Sequence, residues 1–445
     1  MHAFHYRDGH LFCEEFDVAV AAERFGTPLY LYSAGTILDH NGRLDEALAG
    51  LDHLICYAVK ANSNRAILRL LRDAGAGFDI VSGGELFRAL KGGADSRKCT
   101  FAGVGKSRKE VEYALEQGVY SFNIESEAEL DYINQIASAK NQRAPIALRV
   151  NPDVEAQTHQ YISTGKSENK FGIALERAAQ VYERASKMPA ITVRGVQTHI
   201  GSQITEAAPF VAAIEKLAPL VSELKSKYAI EFFSVGGGLG IAYESSVASG
   251  SGDWWTSQRS HPLTIQQYVD AILPPLTRLG LRILLEPGRL LVGNAGILLT
   301  RVRYIKETAQ KKFAIIDAGM NDLIRPALYG SYHEIVPVEK ITQPSPQSSP
   351  PGRGGREAPG EGRTKMDIVG PVCESGDFFA QDREMPELRA GDLLAVMSAG
   401  AYGFVMASNY NSRPLPAEAL VRGDQVALIR KRQSLEDLTR DEIEA

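Results

Sequence analysis

The stretch Leu54-Ile55-Cys56-Tyr57-Ala58-Val59-Lys60-Ala61-Asn62-Ser63-Asn64 joins an apolar run to a single lysine and a polar segment. The apolar run predicts a buried parallel strand, and the polar segment predicts the start of a helix. Lys60 therefore lies where a strand ends. A lysine at the edge of an apolar site has the chemistry needed to form a Schiff base with a carbonyl cofactor, although most lysines are simply exposed to solvent. The rest of the chain has to decide between these two interpretations.

Apolar runs alternate with amphipathic helical stretches through the first two thirds of the chain, which predicts a parallel α/β fold. An open, doubly wound sheet and a closed barrel both give such a pattern. Polar residues such as Lys60, His199 and Glu286 follow strands spread along the whole segment, and only a barrel brings all those strand ends to one rim. We therefore predict a (β/α)8 TIM-type barrel. Its eight strands are expected at Ile55–Val59, Phe78–Ser82, Cys99–Ala102, Ser121–Ile124, Ile146–Val150, Gly195–His199, Phe232–Val235 and Ile283–Glu286.

A second domain is predicted from about Leu290, where the helical period gives way to short β-rich runs. We expect the barrel at residues 27–285 and an all-β barrel or sandwich built from residues 1–26 and 286–445. Inside it, Ile341–Lys365 is dense in Pro, Gly, Ser and charge, which predicts a disordered surface insertion. A second excursion, Ser245–Pro262, carries Trp254-Trp255, which would either pin that loop or face a partner.

Composition and charge favour a small-molecule ligand. The chain has 445 residues and a formal net charge of −5, which gives no bulk electrostatic reason to expect nucleic acid or an anionic membrane as a partner. Its four cysteines, Cys13, Cys56, Cys99 and Cys373, are widely spaced and form no CxxC pair, so neither a metal site nor a disulfide framework is predicted. With no signal-peptide profile and no apolar run near the ~18 residues of a membrane span, we expect a cytoplasmic location and no membrane partner.

Two motifs suggest anion and heterocycle binding. Gly236–Gly240 follows a predicted strand and exposes backbone amides that can bind phosphate, although glycine-rich turns are common. The run Glu286-Pro287-Gly288-Arg289 places a carboxylate at a strand end. Glu286 would either form an internal ion pair with Arg289 or hold a heterocyclic nitrogen protonated.

Three further side chains have the chemistry of a site. His199 is either a core histidine or a flat ring that stacks on an aromatic cofactor. Cys373, beside Glu374 in a Gly/Ser-containing turn, suits a proton donor. Tyr402, next to Gly403, could reach a phosphate or a substrate, or could pack in a strand.

Taken together and in order, these motifs resemble the pyridoxal-phosphate decarboxylases of the alanine-racemase fold type. The resemblance covers roughly Thr27 to Pro416 and departs at Ser245–Pro262 and Ile341–Lys365. Within that family, the segments Asp317–Gly330, Ser398–Phe404 and Tyr410–Pro414 resemble the members that act on diaminopimelate. The motifs that carry the resemblance are Tyr57–Asn62, Phe78–Glu85, His199–Ser202, Gly236–Gly238, Glu286–Arg289 and Cys373–Asp377.

The resemblance implies that pyridoxal phosphate is the cofactor. Lys60 would carry it covalently, His199 would stack on its ring, and Glu286 would pair with the ring nitrogen. Cys373 would return a proton to Cα after carbon dioxide leaves. The other residues expected around the cofactor are Asp79, Ser202, Gly237, Gly238, Pro287, Gly288, Arg289 and Tyr402, and those expected to hold the substrate are Arg289, Arg325, Tyr329, Glu374 and Tyr402.

The implied reaction is decarboxylation of meso-2,6-diaminopimelate to L-lysine and carbon dioxide, the last step of lysine biosynthesis. Glu286 favours it over racemisation, for which an arginine would be expected at that position. A decarboxylase acting on ornithine, arginine or a carrier-tethered glutamyl group is the alternative. Diaminopimelate needs an anion and a cation at its far end, which Glu374 and Arg325, with Tyr329, would supply.

Two other implications concern partners and function class. The resemblance implies a head-to-tail homodimer in which Cys373 and Glu374 complete the partner's active site. A protein that only binds pyridoxal phosphate for cofactor supply would keep Lys60 and a phosphate site, but it would need neither Cys373-Glu374 nor a second domain.

Overall fold

The computed structural model describes residues 1–155, 170–258, 261–340 and 363–443. Most of the predicted disordered insertion, residues 341–362, therefore lies outside the described residues. Residues 363–365 do not belong to such an insertion, because a strand begins at Arg363 and pairs with Pro386 of its neighbour.

The described residues form the following strands: β1 Phe4–Arg7, β2 His10–Cys13, β3 Phe16–Asp17, β4 Leu29–Ser33, β5 His53–Ala58, β6 Gly77–Ile80, β7 Cys99–Phe101, β8 Ser121–Ile124, β9 Ala144–Asn151, β10 Ile173–Ala174, β11 Ile191–Gln197, β12 Phe232–Ser234, β13 Arg282–Leu285, β14 Gly296–Glu307, β15 Lys312–Ile316, β16 Ile335–Pro337, β17 Arg363–Val369, β18 Phe378–Pro386, β19 Leu393–Val396, β20 Ala417–Arg422 and β21 Gln425–Arg430. The helices are α1 Val18–Phe25, α2 Ala34–Ala47, α3 Arg65–Asp73, α4 Gly83–Lys91, α5 Arg108–Gln117, α6 Glu127–Ala139, α7 Leu175–Ser186, α8 Ala208–Tyr228, α9 Gly252–Ser257, α10 Ile265–Thr277, α11 Arg289–Val292 and α12 Arg325–Tyr329.

One compact unit, Thr36–Ala242 with Ser257–Gly293, contains a closed parallel barrel. Its eight strands pair in the order β5-β6-β7-β8-β9-β11-β12-β13, and β13 pairs with β5 to close the ring. Each predicted strand overlaps one of these eight. The predicted (β/α)8 barrel is confirmed.

Local sequence explains why the barrel's helices form where they do. The Asn64 side chain accepts a hydrogen bond from the Ala66 amide and caps α3, whose apolar side is buried. Ser107 and Glu110 form a reciprocal capping box at the start of α5, and Gly118, with φ +67°, ends that helix. These caps set where α3 and α5 start and where α5 stops.

Aromatic and aliphatic side chains pack together around Phe232. Phe232 is fully buried, and its ring centroid lies 5.2 Å from that of Tyr120. A Cβ at Gly195 would come within 2.6 Å of the Phe232 ring, so only glycine fits opposite this phenylalanine. The lower part of the barrel is therefore a packed core, and chemistry is confined to the rim.

The other compact unit consists of Met1–Gly35, Tyr243–Thr256 and Asn294–Ala445. A three-stranded sheet joins β1, β2 and β3, and a larger sheet has the order β18-β17-β15-β14-β4-β20-β21, with β19 pairing both β14 and β16. This mostly-sheet unit is the predicted second, β-rich domain.

Two segments of this unit fall outside the boundaries expected from the sequence. Strand β4 pairs with β14 and β20, so residues 29–33 belong to the β-rich sheet and not to the barrel. Residues 286–293, expected in the β-rich domain, belong to the barrel unit instead, and residues 243–256 belong to the β-rich unit. There, Trp255 donates a hydrogen bond from Nε1 to the Ser249 carbonyl at 2.8 Å and packs edge-on against Trp254, so these contacts link two parts of the same loop.

In the part of the chain that the structure describes, no helix combines the length and the apolar character needed to cross a membrane.

Candidate active site

Lys60 lies at the carboxyl end of β5, in the short turn Val59–Ala61. Its Nζ is 3.1 Å from Oδ2 of Asp79, at the end of the neighbouring β6. The Asp79 side chain is 1% exposed, whereas that of Lys60 is 42% exposed. A buried carboxylate thus holds an accessible amine at the rim of the barrel.

Glu286 directly follows β13 and is buried in the same rim. Its carboxylate accepts hydrogen bonds from Ser234 Oγ at 2.7 Å and from Gln197 Nε2 at 2.9 Å. Burial, with a further contribution from the charge of Asp79, raises the pKa of Glu286 from its usual value of 4.5 to about 7. A buried carboxyl with uncharged donors and a raised pKa is suited to pairing with a cationic ring nitrogen, which would favour its ionised form.

This raised pKa predicts a pH-dependent stability of the cofactor-free protein. Between about pH 4.5 and about pH 7 the folded state keeps a proton on Glu286 that the unfolded chain has lost, so the free energy of unfolding falls as the pH rises. The Glu286→Gln variant cannot titrate at this position. Raising the pH over this range should therefore lower the free energy of unfolding of the wild type, relative to that of the variant, by on the order of 1–3 kcal/mol. Urea unfolding of both apoproteins at pH 5, 6, 7 and 8 measures the difference. A difference that is flat across this range would show that Glu286 ionises normally.

His199 lies beyond β11 with its ring held by the glycine turn. Its Nδ1 accepts a hydrogen bond from the Gly237 amide at 3.3 Å, so the proton of the neutral ring is on Nε2. Burial and the positive charge of Arg149 keep the pKa of His199 well below 6.5. Arg149 itself is paired with the buried Glu125 and donates to the His199 carbonyl at 3.4 Å. His199 therefore presents a neutral, oriented, flat ring.

The glycine turn after β12 leaves no room for side chains. Gly238 has φ +110°, and a Cβ there would overlap the carbonyl oxygen of Gly201. A Cβ at Gly237 would overlap the carbonyl oxygen of Glu286. The resulting backbone surface is a cradle of the kind that binds anions.

The segment after β13 adds a cation to this rim. Arg289 Nη2 donates to Ser202 Oγ at 3.0 Å, which links the segment after β13 to the loop after β11. Gly288 precedes the short helix α11, and the Pro287 carbonyl accepts from the Ala58 amide at 3.0 Å, two residues before Lys60. The structure therefore brings ten predicted residues to one end of the barrel unit: Lys60, Asp79, His199, Ser202, Gly237, Gly238, Glu286, Pro287, Gly288 and Arg289.

The other predicted residues lie in the β-rich unit. Cys373 and Glu374 are exposed in a loop that Asp377 organises by accepting from the Val372 and Met320 amides, both at 2.6 Å. The Glu374 carboxylate accepts from Tyr410 Oη at 3.1 Å. The loop thus presents a thiol and an oriented carboxylate side by side.

A second cluster of this unit surrounds Arg325, the first residue of α12. Its guanidinium is buried and lies 6.0 Å from the ring of Tyr329. Because the Met320 amide binds Asp377, the run Met320–Gly330 is hydrogen-bonded to the loop of Cys373. The predicted anion and cation for a substrate's far end therefore stand on two connected loops of one unit.

Tyr402 lies in the turn between Ser398 and Gly403 and has φ +57°. This left-handed conformation is strained for a bulky residue, and such strain concentrates at functional sites. A Cβ at Gly403 would overlap the Ala399 carbonyl oxygen, so the turn requires its glycine.

Residues 34–293 match the family model described as "Pyridoxal-dependent decarboxylase, pyridoxal binding domain". The chain is 48% identical over 439 residues to the diaminopimelate decarboxylase of Pseudomonas aeruginosa, covering 98% of each chain, and 46% identical over 441 residues to that of Vibrio cholerae, again covering 98% of each. The chain belongs to the diaminopimelate decarboxylase family.

Solved structures of this family have the same fold. The diaminopimelate decarboxylase of M. jannaschii in co-complex with L-lysine is 37% identical, with a TM-score of 0.87 over 100% of this chain and 98% of that one. The Helicobacter pylori enzyme complexed with L-lysine is 40% identical, with a TM-score of 0.84 over 95% of this chain and 98% of that one.

The rim residues of this family member fit pyridoxal phosphate. Lys60 supplies an amine, Arg289 beside the bare backbone of Gly238 supplies donors for a phosphate, and Glu286 supplies a buried carboxyl for a ring nitrogen. This donor set matches the cofactor's aldehyde, phosphate and pyridine groups.

Sequence reasoning missed the supports of Glu286 and His199, namely Ser234, Gln197, Asn123 and Arg149. They lie in four barrel strands, three of which carry other polar residues as well, so no local signal in the sequence distinguishes them.

Proposed function

We propose that this protein decarboxylates meso-diaminopimelate to L-lysine and carbon dioxide, with pyridoxal phosphate held at Lys60. The observation that carries the proposal is that the chain offers both charges needed at a substrate's far end, an oriented anion, Glu374, and a buried cation, Arg325. A substrate whose far end carries both an ammonium and a carboxylate needs both partners. The relatives named for this reaction, matched over almost the full chain, support the same substrate.

The barrel rim would bind and orient the cofactor. Lys60 Nζ would hold its carbonyl carbon, the glycine cradle with Ser202 and Arg289 would bind its phosphate, and the neutral His199 ring would lie against its face. When bound, pyridoxal phosphate supplies an electron sink for the pair released as carbon dioxide leaves. Glu286 would keep a proton at the ring nitrogen, which makes that sink strong.

The β-rich unit would supply recognition and the proton. Arg325, with Tyr329, would bind the carboxylate that stays, Glu374 would bind the distal ammonium, and Tyr402 would contact substrate and phosphate. When the bond from Cα to the departing carboxylate breaks, Cys373 Sγ would give its proton to Cα, and water would reprotonate the thiolate. One C–C bond is then replaced by one C–H bond, and the reaction needs no external oxidant or reductant.

We further propose a homodimer in which Cys373 and Glu374 act in the partner's active site. The division of the candidate residues supports it, because Lys60 and nine others belong to the barrel unit, whereas Cys373, Glu374 and Tyr402 belong to the β-rich unit. Two-fold symmetry would then produce two identical composite sites. The cytoplasmic location stays a prediction.

Purified protein incubated with meso-diaminopimelate should release lysine and carbon dioxide in equal amounts, and this should require pyridoxal phosphate. Ornithine and arginine, which lack the second carboxylate, should give at least about tenfold lower kcat/KM, since one charge-assisted contact is lost. Amino-acid analysis and carbon dioxide release measure both products. Faster turnover of ornithine or arginine would favour the alternative substrate.

A further inference from the structure

The guanidinium of Arg325 is oriented by neutral acceptors. Its Nε donates to His333 Nε2 at 3.4 Å, and its Nη2 donates to Tyr243 Oη at 3.2 Å and to Ser331 Oγ at 3.3 Å. Arg325 and His333 are both buried, and all four residues belong to the β-rich unit. A neutral acceptor fixes the direction of a guanidinium and does not itself offset the positive charge, as a carboxylate acceptor would.

The proton on His333 can be assigned from its two partners. Its Nδ1 lies 2.8 Å from the Met397 carbonyl oxygen, which can only accept, so Nδ1 carries the proton. In a neutral ring Nε2 is then an acceptor, and it faces Arg325, which can only donate. The Tyr243 ring packs edge-on against the imidazole, with centroids 5.2 Å apart, and fixes the plane of the ring.

We propose that His333 is a positioning residue. Its Nε2 holds the Arg325 guanidinium in the direction needed to bind the substrate carboxylate that is not removed. His333 thereby sets the preference for ligands that carry this carboxylate. This inference deepens the proposed function and rests on it. Tyr243, two residues before the Ser245–Pro262 excursion, accepts a hydrogen bond from the same arginine.

A matched pair of variants separates the two ring nitrogens. His333→Asn places an amide N–H near the position of Nδ1 and keeps the donor to Met397, but it has no acceptor for Arg325. His333→Gln places an amide oxygen near the position of Nε2 and keeps that acceptor. A packing role would be disturbed by both changes, whereas the proposed role is restored by Gln alone.

L-Lysine and 1,5-diaminopentane, which differ by one carboxylate, are the probe ligands for the holoenzyme. In His333→Asn the inhibition constant of lysine should rise about tenfold or more, and that of diaminopentane should change less than about twofold. In His333→Gln both constants should stay within about threefold of the wild type. Arg325→Ala is the reference for full loss of lysine binding, and His10→Asn, which removes an exposed imidazole, is the control expected to change neither.

Wild-type enzyme is first assayed with meso-diaminopimelate, and its failure to react would refute the proposed function rather than this inference. With an active wild type, unchanged lysine inhibition in a His333→Asn enzyme of normal melting temperature and cofactor absorbance overturns the inference. If lysine inhibition is weakened equally in His333→Gln and His333→Asn, the inference is overturned too, because the ring would then serve only packing. If His333→Asn does not fold, His333→Leu takes its place with the same criterion.

Discussion

A Lys60→Ala variant treated with pyridoxal phosphate and then borohydride should carry no covalently bound cofactor, and its decarboxylase activity should fall by at least about 10³-fold. Borohydride reduces the carbon–nitrogen double bond that a lysine forms with the cofactor's aldehyde, so a permanent label requires an accessible amine. Lys60 Nζ is such an amine, partly exposed at the barrel rim beside Asp79. Mass spectrometry of tryptic peptides locates the label.

Two comparisons make this experiment specific. Lys60→Arg keeps a positive charge beside the buried Asp79 but offers a guanidinium that does not form the bond, so it should fold like the wild type and remain unlabelled. Lys91→Ala, which removes an exposed lysine of the same unit, should be labelled normally. Lys106 also lies at this end of the barrel, but its Nζ is buried against the Glu129 carboxylate and two carbonyl oxygens, so it should never carry the label. A label that persists in the Lys60→Arg variant would show that another lysine anchors the cofactor.

The barrel could be predicted from sequence because buried parallel strands carry their own signal. Strands such as Ile55–Val59 are apolar on both faces and end abruptly at a polar residue, and helix caps such as Asn64 mark the elements between them. Pairing partners carry no such local signal. Leu29–Ser33 is buried along its whole length, as a barrel strand is, yet it pairs with β14 and β20 of the β-rich sheet.

Some strands of the β-rich unit give no local signal in the sequence. Strand β18 contains Gln381-Asp382-Arg383-Glu384, a run that is too polar to read as a strand, and its bulged pairing with β17 is set by tertiary context.

The same distinction holds for the candidate site. Residues whose chemistry is unusual where they stand, such as Lys60 at a strand end or Cys373 in a polar turn, can be identified from the chain alone. Residues that act by holding another side chain cannot, because the contact joins distant parts of the sequence. Ser234 is 52 residues from Glu286, and Met397 is 64 residues from His333.

Mixing two inactive variants should restore activity if the sites are shared between subunits. Lys60→Ala lacks the cofactor anchor and Cys373→Ala lacks the proton donor, so each homodimer should be inactive or nearly so. In a mixed dimer, one site receives both lesions and the other receives neither. Random mixing makes about half of the dimers mixed, and each has one intact site of two, so about a quarter of the wild-type activity per chain should return.

The experiment uses the two variants with different affinity tags, co-expressed or unfolded and refolded together, and purified over both tags in sequence. The doubly purified dimers should then show about half of the wild-type activity, because every one of them has a single intact site. Lys60→Ala mixed with Lys60→Arg is the matched control, since both lesions fall on the same residue and no intact site can form. Cys373 and Lys60 belong to different compact units, and the alternative is that the two units of one chain form the site. In that case every site of a mixed dimer carries one of the two lesions. Doubly tagged dimers that remain as inactive as their parents would establish that alternative and remove Cys373 from the partner's site.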